Sequence, residues 1–446
     1  MRILAWDSLS DEERRGALER PVQQSRSDID AVVREVITSV RAGGDAALRA
    51  YTHRFDGVEI DTFAVSAREF TQARQALSAG QLGAIERAIE NVERFHRAQR
   101  LEPLALETSP GVRCERILRP IGAVGLYVPA GSAPLPSAVV MLAVPARIAG
   151  CPHRTLCTPP DRSGAASPAV LAAAELCGVE SVFKVGGAQA IAALAYGTES
   201  IPKADKIFGP GNAWVTAAKQ AAAADPQGAA CDMPAGPSEV MVLADESARP
   251  DFVAADLLAQ AEHDANAQAI LVTPSAPLAQ AVSAAVGAQM RSLSRGDILE
   301  QSIKSSRALV VADLDTAVAV ANAYAAEHLI LQVREPRALL ARIVNAGSVF
   351  LGAWSPEPMG DYCSGTNHVL PTYGYARAYS GLGVPDYLKR ITVQELTPAG
   401  LRALGPTAVT LAQLEGLDAH AAAVTCRLRA LEGGAVERRA AQESRS

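Results

Sequence analysis

Short β-branched runs alternate with alanine-rich segments through most of the chain. From about residue 121 the runs GLYV, RTLC and VFKV are separated by segments such as QAIAALAYG, whose length and apolar content are typical of buried helices. From about residue 238 the same alternation begins again, with EVMVLAD, AQAILVTP and LILQV as its apolar runs. Strands joined by crossover helices form parallel sheets, so the pattern predicts two successive α/β units.

The two ends of the chain have other patterns. Up to about residue 117 charged residues recur at helical spacing, and an apolar stripe that includes Val33, Val36 and Val40 predicts a helix ended by Gly43 and Gly44. After about residue 380 the sequence predicts a helical tail with too few large apolar residues to fold alone. We therefore expect an α/β fold with two incomplete Rossmann-like parallel-sheet domains, an N-terminal helical section and a C-terminal helical tail that docks elsewhere.

Composition narrows the class of partner. The 446 residues carry a formal charge of -6, with 42 basic and 48 acidic side chains and no long run of either sign, which argues against nucleic acid or a membrane surface and favours a small molecule. The N-terminus has charges where a signal peptide needs apolar residues, so we expect a cytoplasmic protein. Seven cysteines without a CxxC pair argue against a disulfide framework and a thiolate zinc site.

Two glycine turns lie where a strand passes into a helix. FGPGNAW has Gly209 and Gly211, but Trp214 stands in place of the third glycine of a dinucleotide fingerprint, and no acidic residue has the spacing that binds a ribose. In KVGGAQA, backbone amides at a helix start are suited to a phosphate. Both segments also fit ordinary tight turns, so this pattern leaves a dinucleotide site open.

Polar residues cluster inside the apolar segment AQAEHDANAQAI. Gln260 and His263 are three residues apart and share one helical face, an arrangement that suits two ligands of one cation, although a hydrogen-bonded core histidine is an equally simple interpretation. In MGDYCSGTNHVLP, we expect a loop that projects Asp361, either toward a ligand or as a cap of its own turn. His368 in the same loop either joins such a site or holds the loop shut by hydrogen bonding.

Two further acid and histidine pairs follow. Glu327 and His328 lie where a helix gives way to a strand, so both are expected to reach one cleft as an acid/base pair, unless they are only a helix-terminal charge pair. Glu415 and His420 are five residues apart in the tail, which is about 140° on a helix. They would contact one ligand together only at its edge, or if the helix were broken near Gly416.

The chain resembles one family in many successive segments. GLYVPAGSAPLPS, the stretch KVGGAQAIAALAYGTESIPKADKIFGPGN, DMPAGPSEV, LLAQAEHD, AEHLIL and the long string around Asp361 look like the ordered blocks of histidinol dehydrogenase. The resemblance implies a zinc- and NAD-dependent enzyme that oxidises L-histidinol to L-histidine through L-histidinal, the last two steps of histidine biosynthesis. It also implies a homodimer whose tails are exchanged, so that Glu415 and His420 complete the partner's site.

The resemblance implies roles for particular residues. One zinc ion per subunit would be bound by Gln260, His263, Asp361 and His420, and the acid/base pair would be Glu327 and His328. Substrate contacts would come from the four metal ligands, from His328, and from Ser238, His368 and Glu415. Contacts with NAD would come from Tyr127, Gln189 and Asn212.

Domain boundaries follow from the same resemblance. We expect an N-terminal segment at 1–23, a catalytic and metal-binding α/β domain formed by 24–120 with 238–380, an NAD-binding α/β domain at 121–237, and the tail at 381–446. The resemblance favours packing of the front helices on the second sheet. Three alternatives remain at this level: a related zinc and NAD dehydrogenase of another amino alcohol, a two-lobed solute-binding protein, and a zinc hydrolase.

Overall fold

The computed structural model describes residues 1–21, 26–130, 133–234 and 236–443, apart from the side chains of 26, 27 and 434–443. Its strands in chain order are β1 (Arg2–Ala5), β2 (Leu104–Ser109), β3 (Val112–Pro120), β4 (Ala123–Tyr127), β5 (His153–Thr158), β6 (Ser181–Lys184), β7 (Lys206–Phe208), β8 (Ala230–Cys231), β9 (Glu239–Ala244), β10 (Gln268–Thr273), β11 (Arg307–Val310), β12 (His328–Gln332), β13 (Ser348–Leu351) and β14 (Leu388–Leu396).

Helices connect most of these strands. They are α1 (Asp11–Leu18), α2 (Arg26–Asp56), α3 (Ala67–Ala76), α4 (Ala79–Arg97), α5 (Pro136–Ala149), α6 (Pro168–Leu176), α7 (Gly187–Tyr196), α8 (Ala213–Ala224), α9 (Pro250–Ala261), α10 (Ala276–Met290), α11 (Gly296–Ser305), α12 (Leu314–Tyr324), α13 (Pro336–Leu340), α14 (Glu357–Tyr362), α15 (Pro398–Leu414) and α16 (Asp418–Glu443), with short 3-10 turns at Trp6–Ser8, Tyr375–Arg377 and Val384–Tyr387. No helix in the described ranges has both the length and the apolar character that a membrane span requires.

The described residues form two compact units. The first unit, 1–100 with 121–387, contains two parallel sheets, which confirms the predicted α/β class. One sheet has the order β6-β5-β4-β7-β8, and the other has the order β1-β11-β10-β9-β12-β13. The outermost strand β1 pairs with β11 from residues read in the sequence only as an N-terminal segment. In each sheet the strand order reverses once, between β4 and β7 and between β9 and β12.

The front helices belong to the layer around the first sheet. The buried apolar face of α2, which includes Ile29, Val33 and Val36, joins one core with residues of α7 and α8, while α3 packs on α6 and α4 on α5. This differs from the packing on the second sheet that the family resemblance favoured. The physical reason is the match between the α2 stripe and the small alanine side chains of α7 and α8, which permit close helix approach. The predicted break in α2 occurs at Gly44, whose φ is 49°.

The second unit, 101–120 with 388–446, contains an antiparallel sheet of order β14-β3-β2 and the helices α15 and α16. The sequence interpretation was wrong here, because it assigned 101–117 to a helical section and the whole tail to helices. The segments VRCERILRP and LKRITVQEL carry many charged residues among apolar ones, and this mixture was taken for a helical pattern. They pair in continuous register from Leu388 opposite Pro120 to Leu396 opposite Val112.

Candidate active site

A cavity of about 870 Å³ lies in the first unit and is lined from both parallel sheets. Its wall includes seven of the residues singled out in the sequence: Tyr127, Gln189, Asn212, Ser238, His263, Glu327 and His368. The first sheet contributes residues at the carboxyl ends of its strands, as parallel sheets usually do. The second sheet contributes residues at the amino ends of β9 and β12, which is opposite to that rule.

The first-sheet wall is formed at the strand-order reversal. Tyr127 ends β4, and its hydroxyl accepts a hydrogen bond from the Gly187 backbone N–H at the start of α7, at 3.0 Å. Asn212 caps α8, because its Oδ1 accepts from the backbone N–H groups of Trp214 and Val215, both at 3.1 Å. Gln189 is buried in the first turn of α7.

A buried ion pair fixes the glycine turn before α8. Lys219 Nζ donates to the Gly209 carbonyl at 2.9 Å and pairs with Asp232, while Asp232 Oδ2 accepts from the Gly209 N–H at 2.8 Å. Gly209 has a φ of 130° and stands against the backbone of Tyr127. The turn is therefore held rigidly beside the cavity, by two residues that the sequence reading did not select.

Asp56 at the end of α2 also lines the cavity. Its Oδ2 is buried and has no hydrogen-bond partner among the described residues, and burial raises the pKa of this carboxyl to about 6. The sequence reading missed Asp56, because it searched for an acidic residue after the glycine turn and Asp56 precedes that turn by about 150 positions. Proximity here comes from the packing of α2 on the first sheet.

The acid/base pair lies at the helix–strand junction that the pattern indicated. Glu327 precedes β12 and His328 begins it, and both side chains are buried. His328 Nδ1 lies 3.7 Å from Glu327 Oε2, and His328 Nε2 lies 3.3 Å from Asp361 Oδ1. His328 Nε2 and Asp361 Oδ1 are buried, and neither makes a hydrogen bond of good geometry with a described residue. His328 Nε2 and Asp361 Oδ1 thus lie close together, and each is able to bind a ligand.

A group suited to a metal ion adjoins this pair. Within the described ranges, His263, Glu357 and Asp361 each offer one ligand atom, and the three atoms lie within 4.8 Å of one another. Gln260 adjoins the group, and we assign its amide the orientation that satisfies its neighbours, in which the nitrogen donates to Glu357 Oε1 at 2.8 Å and lies 3.0 Å from His328 Nδ1. That orientation turns the amide oxygen away from Glu357 and His328.

Local structure around these ligands differs from the sequence prediction in two places. Helix α9 ends at Ala261, so His263 lies in the turn that closes the helix, where its N–H donates to the Gln260 carbonyl at 3.2 Å. Asp361 was predicted in a loop but lies in the short helix α14, because EPMGDY forms one and a half turns before Cys363. His368 does hold this region, since its Nδ1 lies 2.9 Å from the Asp361 carbonyl oxygen.

Glu357 is a further functional candidate that sequence reasoning missed. It is buried at the start of α14 and lies four residues before Asp361, so both carboxylates share one helical face. That spacing was visible in EPMGD, but the segment was taken for a loop, in which such spacing carries no meaning.

The buried carboxylates and His328 shift one another's protonation. Burial raises the pKa of Glu327 to about 8, against the opposing effect of His328. Burial alone would lower the pKa of His328, but the charges of Glu357 and Glu327 raise it to about 10. Burial likewise raises the pKa of Glu357 to about 8. The pKa values of the two glutamates are thus displaced toward neutrality, which is typical of carboxyl groups in catalytic centres, whereas the pKa of His328 is displaced above neutrality.

Glu415 and His420 lie in the second unit. Glu415 follows the last residue of α15 and His420 is in the first turn of α16, and both side chains are exposed. The chain breaks between the two helices at Gly416, which has a φ of 69°. The break that these two residues would need in order to face one ligand is therefore present.

Comparison with known proteins identifies the family. The model of the family described as histidinol dehydrogenase matches residues 18–428. The chain belongs to the histidinol dehydrogenase family. Histidinol dehydrogenases from Vibrio parahaemolyticus and Xanthomonas euvesicatoria are 53% and 55% identical over 431 and 428 residues, which cover 97% and 96% of this chain and 99% of each relative.

A solved structure supports the same family. The crystal structure of histidinol dehydrogenase from Elizabethkingia anophelis has a TM-score of 0.93 to this chain at 45% identity, and the match covers 97% of this chain and 99% of that one. The resemblance to histidinol dehydrogenase found in the sequence is thus confirmed.

Proposed function

We propose that this chain, an oxidoreductase of the histidinol dehydrogenase family, converts L-histidinol to L-histidine through L-histidinal with NAD and one zinc ion per subunit. The observation that carries the proposal is the juxtaposition of Glu327 and His328 with a metal-suited group beside one cavity, whose wall includes Glu327 and His263. We assign NAD binding to residues 121–237 and the metal to residues 238–380. The active form is a homodimer with exchanged tails.

The donor set suits zinc. His263 supplies an imidazole nitrogen and Asp361 a carboxylate oxygen, and Gln260 has its amide oxygen turned away from Glu357, which is consistent with a third ligand. We propose His420 from a second copy as the fourth. Asp361 Oδ1 is buried and makes no good hydrogen bond, and coordination to a metal ion would satisfy it. When bound, the metal orients and polarises the substrate.

The first-sheet wall suits NAD. Tyr127, Gln189 and Asn212 line the cavity together, and the N–H groups at the starts of α7 and α8 are the type of donor that binds pyrophosphate. Asp56 supports the assignment, because a carboxylate oxygen without a partner is a ready acceptor for ribose hydroxyl groups. Bound NAD accepts hydride in each of the two oxidations.

The residues of the chain move the protons. His328 in its neutral form takes the hydroxyl proton of the alcohol at a ring nitrogen in the first oxidation, and Glu327 as a carboxylate takes a proton from the water that adds to the aldehyde before the second oxidation. A metal cation bound beside them would lower the pKa of both groups and so favour these deprotonated forms. Ser238, His368 and the partner's counterpart of Glu415 hold the substrate. Glu357 holds the Gln260 side chain by accepting from its amide nitrogen.

Two measurements test this function. NADH formed per L-histidinol consumed should be two, because the alcohol and the aldehyde each lose one hydride. Glu327→Gln should lower the aldehyde oxidation by about 10²- to 10⁴-fold, the usual contribution of a general base, and affect the alcohol oxidation much less. Glu335→Gln, at an exposed position on the same chain segment, is the control and should retain both activities. A ratio of one NADH, or equal losses in both steps, would contradict the proposal.

A further inference from the structure

Glu239 and Arg20 form a buried ion pair directly beside Glu327. We infer that Glu239, with its charge neutralised by Arg20, is a positioning residue that holds the Glu327 carboxylate in place for the second oxidation. The inference rests on the proposed role of Glu327. Neither Arg20 nor Glu239 is among the described residues that line the cavity, so both would act through Glu327 and not on the substrate.

Reciprocal hydrogen bonds join Glu239 to Glu327. The Glu239 backbone N–H donates to Glu327 Oε2 at 2.9 Å, and the Glu327 backbone N–H donates to Glu239 Oε1 at 3.3 Å. The parallel pairing of β9 with β12 brings them together, because His328 is opposite Val240 and each glutamate is one position earlier. The side chain of each residue thus holds the main chain of the other.

Two adjacent buried carboxylates repel each other unless a cation is present. Arg20 supplies it with two contacts, Nε to Glu239 Oε2 at 2.5 Å and Nη2 to Glu239 Oε1 at 2.8 Å. The remaining neighbour is Tyr324, whose hydroxyl donates to Gln268 Oε1 at 2.7 Å and lies 3.3 Å from Glu239 Oε2. The negative charge of Glu239 is therefore compensated by Arg20 while its carboxylate accepts the Glu327 N–H.

Arg20 also secures the other end of the turn that leads to Glu327. Its Nη2 donates to the Tyr324 carbonyl at 2.8 Å, and its guanidinium lies over the Tyr324 ring at 4.0 Å from the centroid. Between Tyr324 and Glu327 the chain passes through Ala325, whose φ of 56° is unfavourable for alanine by about 1–3 kcal/mol. Arg20 and Glu239 together hold both ends of this turn, so its conformation is retained despite that strain.

An ion pair of this kind is often only structural, and buried pairs contribute little net stability against apolar replacements. The positioning role predicts something different, namely that disruption acts on one chemical step. Glu239→Gln keeps the size, the backbone donor and an acceptor oxygen, but it removes the charge that Arg20 grips. Without the ion pair the start of β9 is no longer fixed, so the Glu239 N–H no longer holds the Glu327 carboxylate in one orientation, while the alcohol oxidation by His328 continues.

A double-mutant cycle tests the inference in the full-length enzyme, with histidinol and histidinal supplied separately. Glu239→Gln should lower kcat for histidinal oxidation by about 10- to 100-fold, within the range that a mispositioned general base loses, and change its KM and the histidinol oxidation by less than about 3-fold. Glu239→Gln combined with Glu327→Gln should be no slower than Glu327→Gln alone, because both changes remove the same function. Glu246→Gln, in the exposed pair with Arg334, is the matched control.

Arg20 variants provide a second measurement if Glu239→Gln folds poorly. Arg20→Lys keeps the charge but loses the two-pronged contact, and should recover part of the histidinal rate that Arg20→Met loses. Multiplying losses in the double variant, equal losses in both oxidations, or a lowered Tm with unchanged rates would each overturn the inference. If Glu327→Gln itself slows both oxidations equally, the proposed division of function fails, but the non-additivity of the pair still shows whether Glu239 acts through Glu327.

Discussion

Several ionisable side chains of the first unit are buried without the hydrogen bonds that a core normally provides. Asp361 Oδ1, His328 Nε2 and Asp56 Oδ2 are all in this condition, and all belong to the cavity or to the residues that adjoin it. A buried polar atom without a partner destabilises the fold by about 1–3 kcal/mol. A ligand can satisfy such atoms, so those in and beside the cavity are candidates for contact with a ligand.

Asp56 allows a test of this reasoning through stability. Because its folded-state pKa of about 6 lies above the ordinary value of 3.8, the folded state binds the proton more tightly, and stability falls as pH rises from about 4 to 6. Asp56→Asn removes this dependence, so the variant should gain stability relative to the parent at pH 7 and lose that advantage near pH 4. Urea unfolding at both pH values measures it.

The control for this prediction is Asp61→Asn, at an exposed position a few residues further along the chain. A pH-independent difference between Asp56→Asn and the parent would contradict the assigned burial effect. Titration of Asp56→Asn and of the parent with NAD tests the binding role. The variant should bind NAD more weakly, because it has lost the proposed acceptor for the ribose hydroxyl groups.

Residue spacing revealed only part of the site. Gln260 with His263, and Glu327 with His328, were visible because their members are neighbours in sequence and their polarity interrupts apolar segments. Arg20, Asp56 and Glu239 could not be found in this way, since each is ordinary in its local context. Their roles depend on partners that are distant along the chain, and only the folded structure brings those partners together.

At the scale of elements, the site is built from the ends of strands and helices. The alternating pattern was sufficient to predict the two parallel sheets, because buried strands and crossover helices differ in length and periodicity. It did not reveal β1, which is too short to show a period, nor the antiparallel sheet, whose charged residues were read as helical. Because β1 was not predicted, the sequence did not show that the N-terminal residues form an edge of the second sheet.

Gly209 provides a prediction at this scale. A Cβ at this position would lie 3.0 Å from the Tyr127 carbonyl carbon and closer still to its oxygen, at a φ that alanine rarely adopts. Gly209→Ala should therefore destabilise the protein by about 1–3 kcal/mol and displace Tyr127, with loss of NAD binding. Chemical denaturation and calorimetric titration with NAD provide the two measurements.

Gly287→Ala is the matched control for this substitution. Gly287 lies inside α10 with open space around the position of a Cβ, so alanine should stabilise the helix by roughly 0.5–1 kcal/mol and leave NAD binding unchanged. If Gly209→Ala were as stable as the parent and bound NAD equally well, the close approach of this turn to β4 would not matter for the site.

At the scale of the whole molecule, the second unit carries its functional candidates next to exposed apolar residues. Leu411, Leu414 and Leu417 are all exposed around the break that holds Glu415. Leucine side chains at such density favour a protein partner, which supports the proposed association of two copies. Sequence alone indicated a tail that needs a partner, but the identity of that partner came only from the family resemblance.

Mixing two inactive variants tests the exchange of tails. Asp361→Asn and His420→Asn each remove one proposed ligand, so each homodimer should be inactive. If each site combines residues from two chains, half of a random mixture is hybrid dimers with one intact site of two, and about a quarter of the parent activity should return. Activity after dissociation and reassociation is the readout, with each variant reassembled alone as the control. No recovery in verified hybrids would disprove the exchange.

The opposite orientation of the two sheets at the cavity gives it an electrical polarity. From the first sheet, α7 and α8 point their amino ends toward the cavity, and each amino end carries a partial positive charge. From the second sheet, α9 and α12 end beside His263 and Glu327, so they present the partial negative charge of helix carboxyl ends. Anionic phosphates are drawn to one wall, while a cation and the ammonium group of an amino alcohol are drawn to the other. The helix ends alone would thus favour an anion at one wall and a cation at the other.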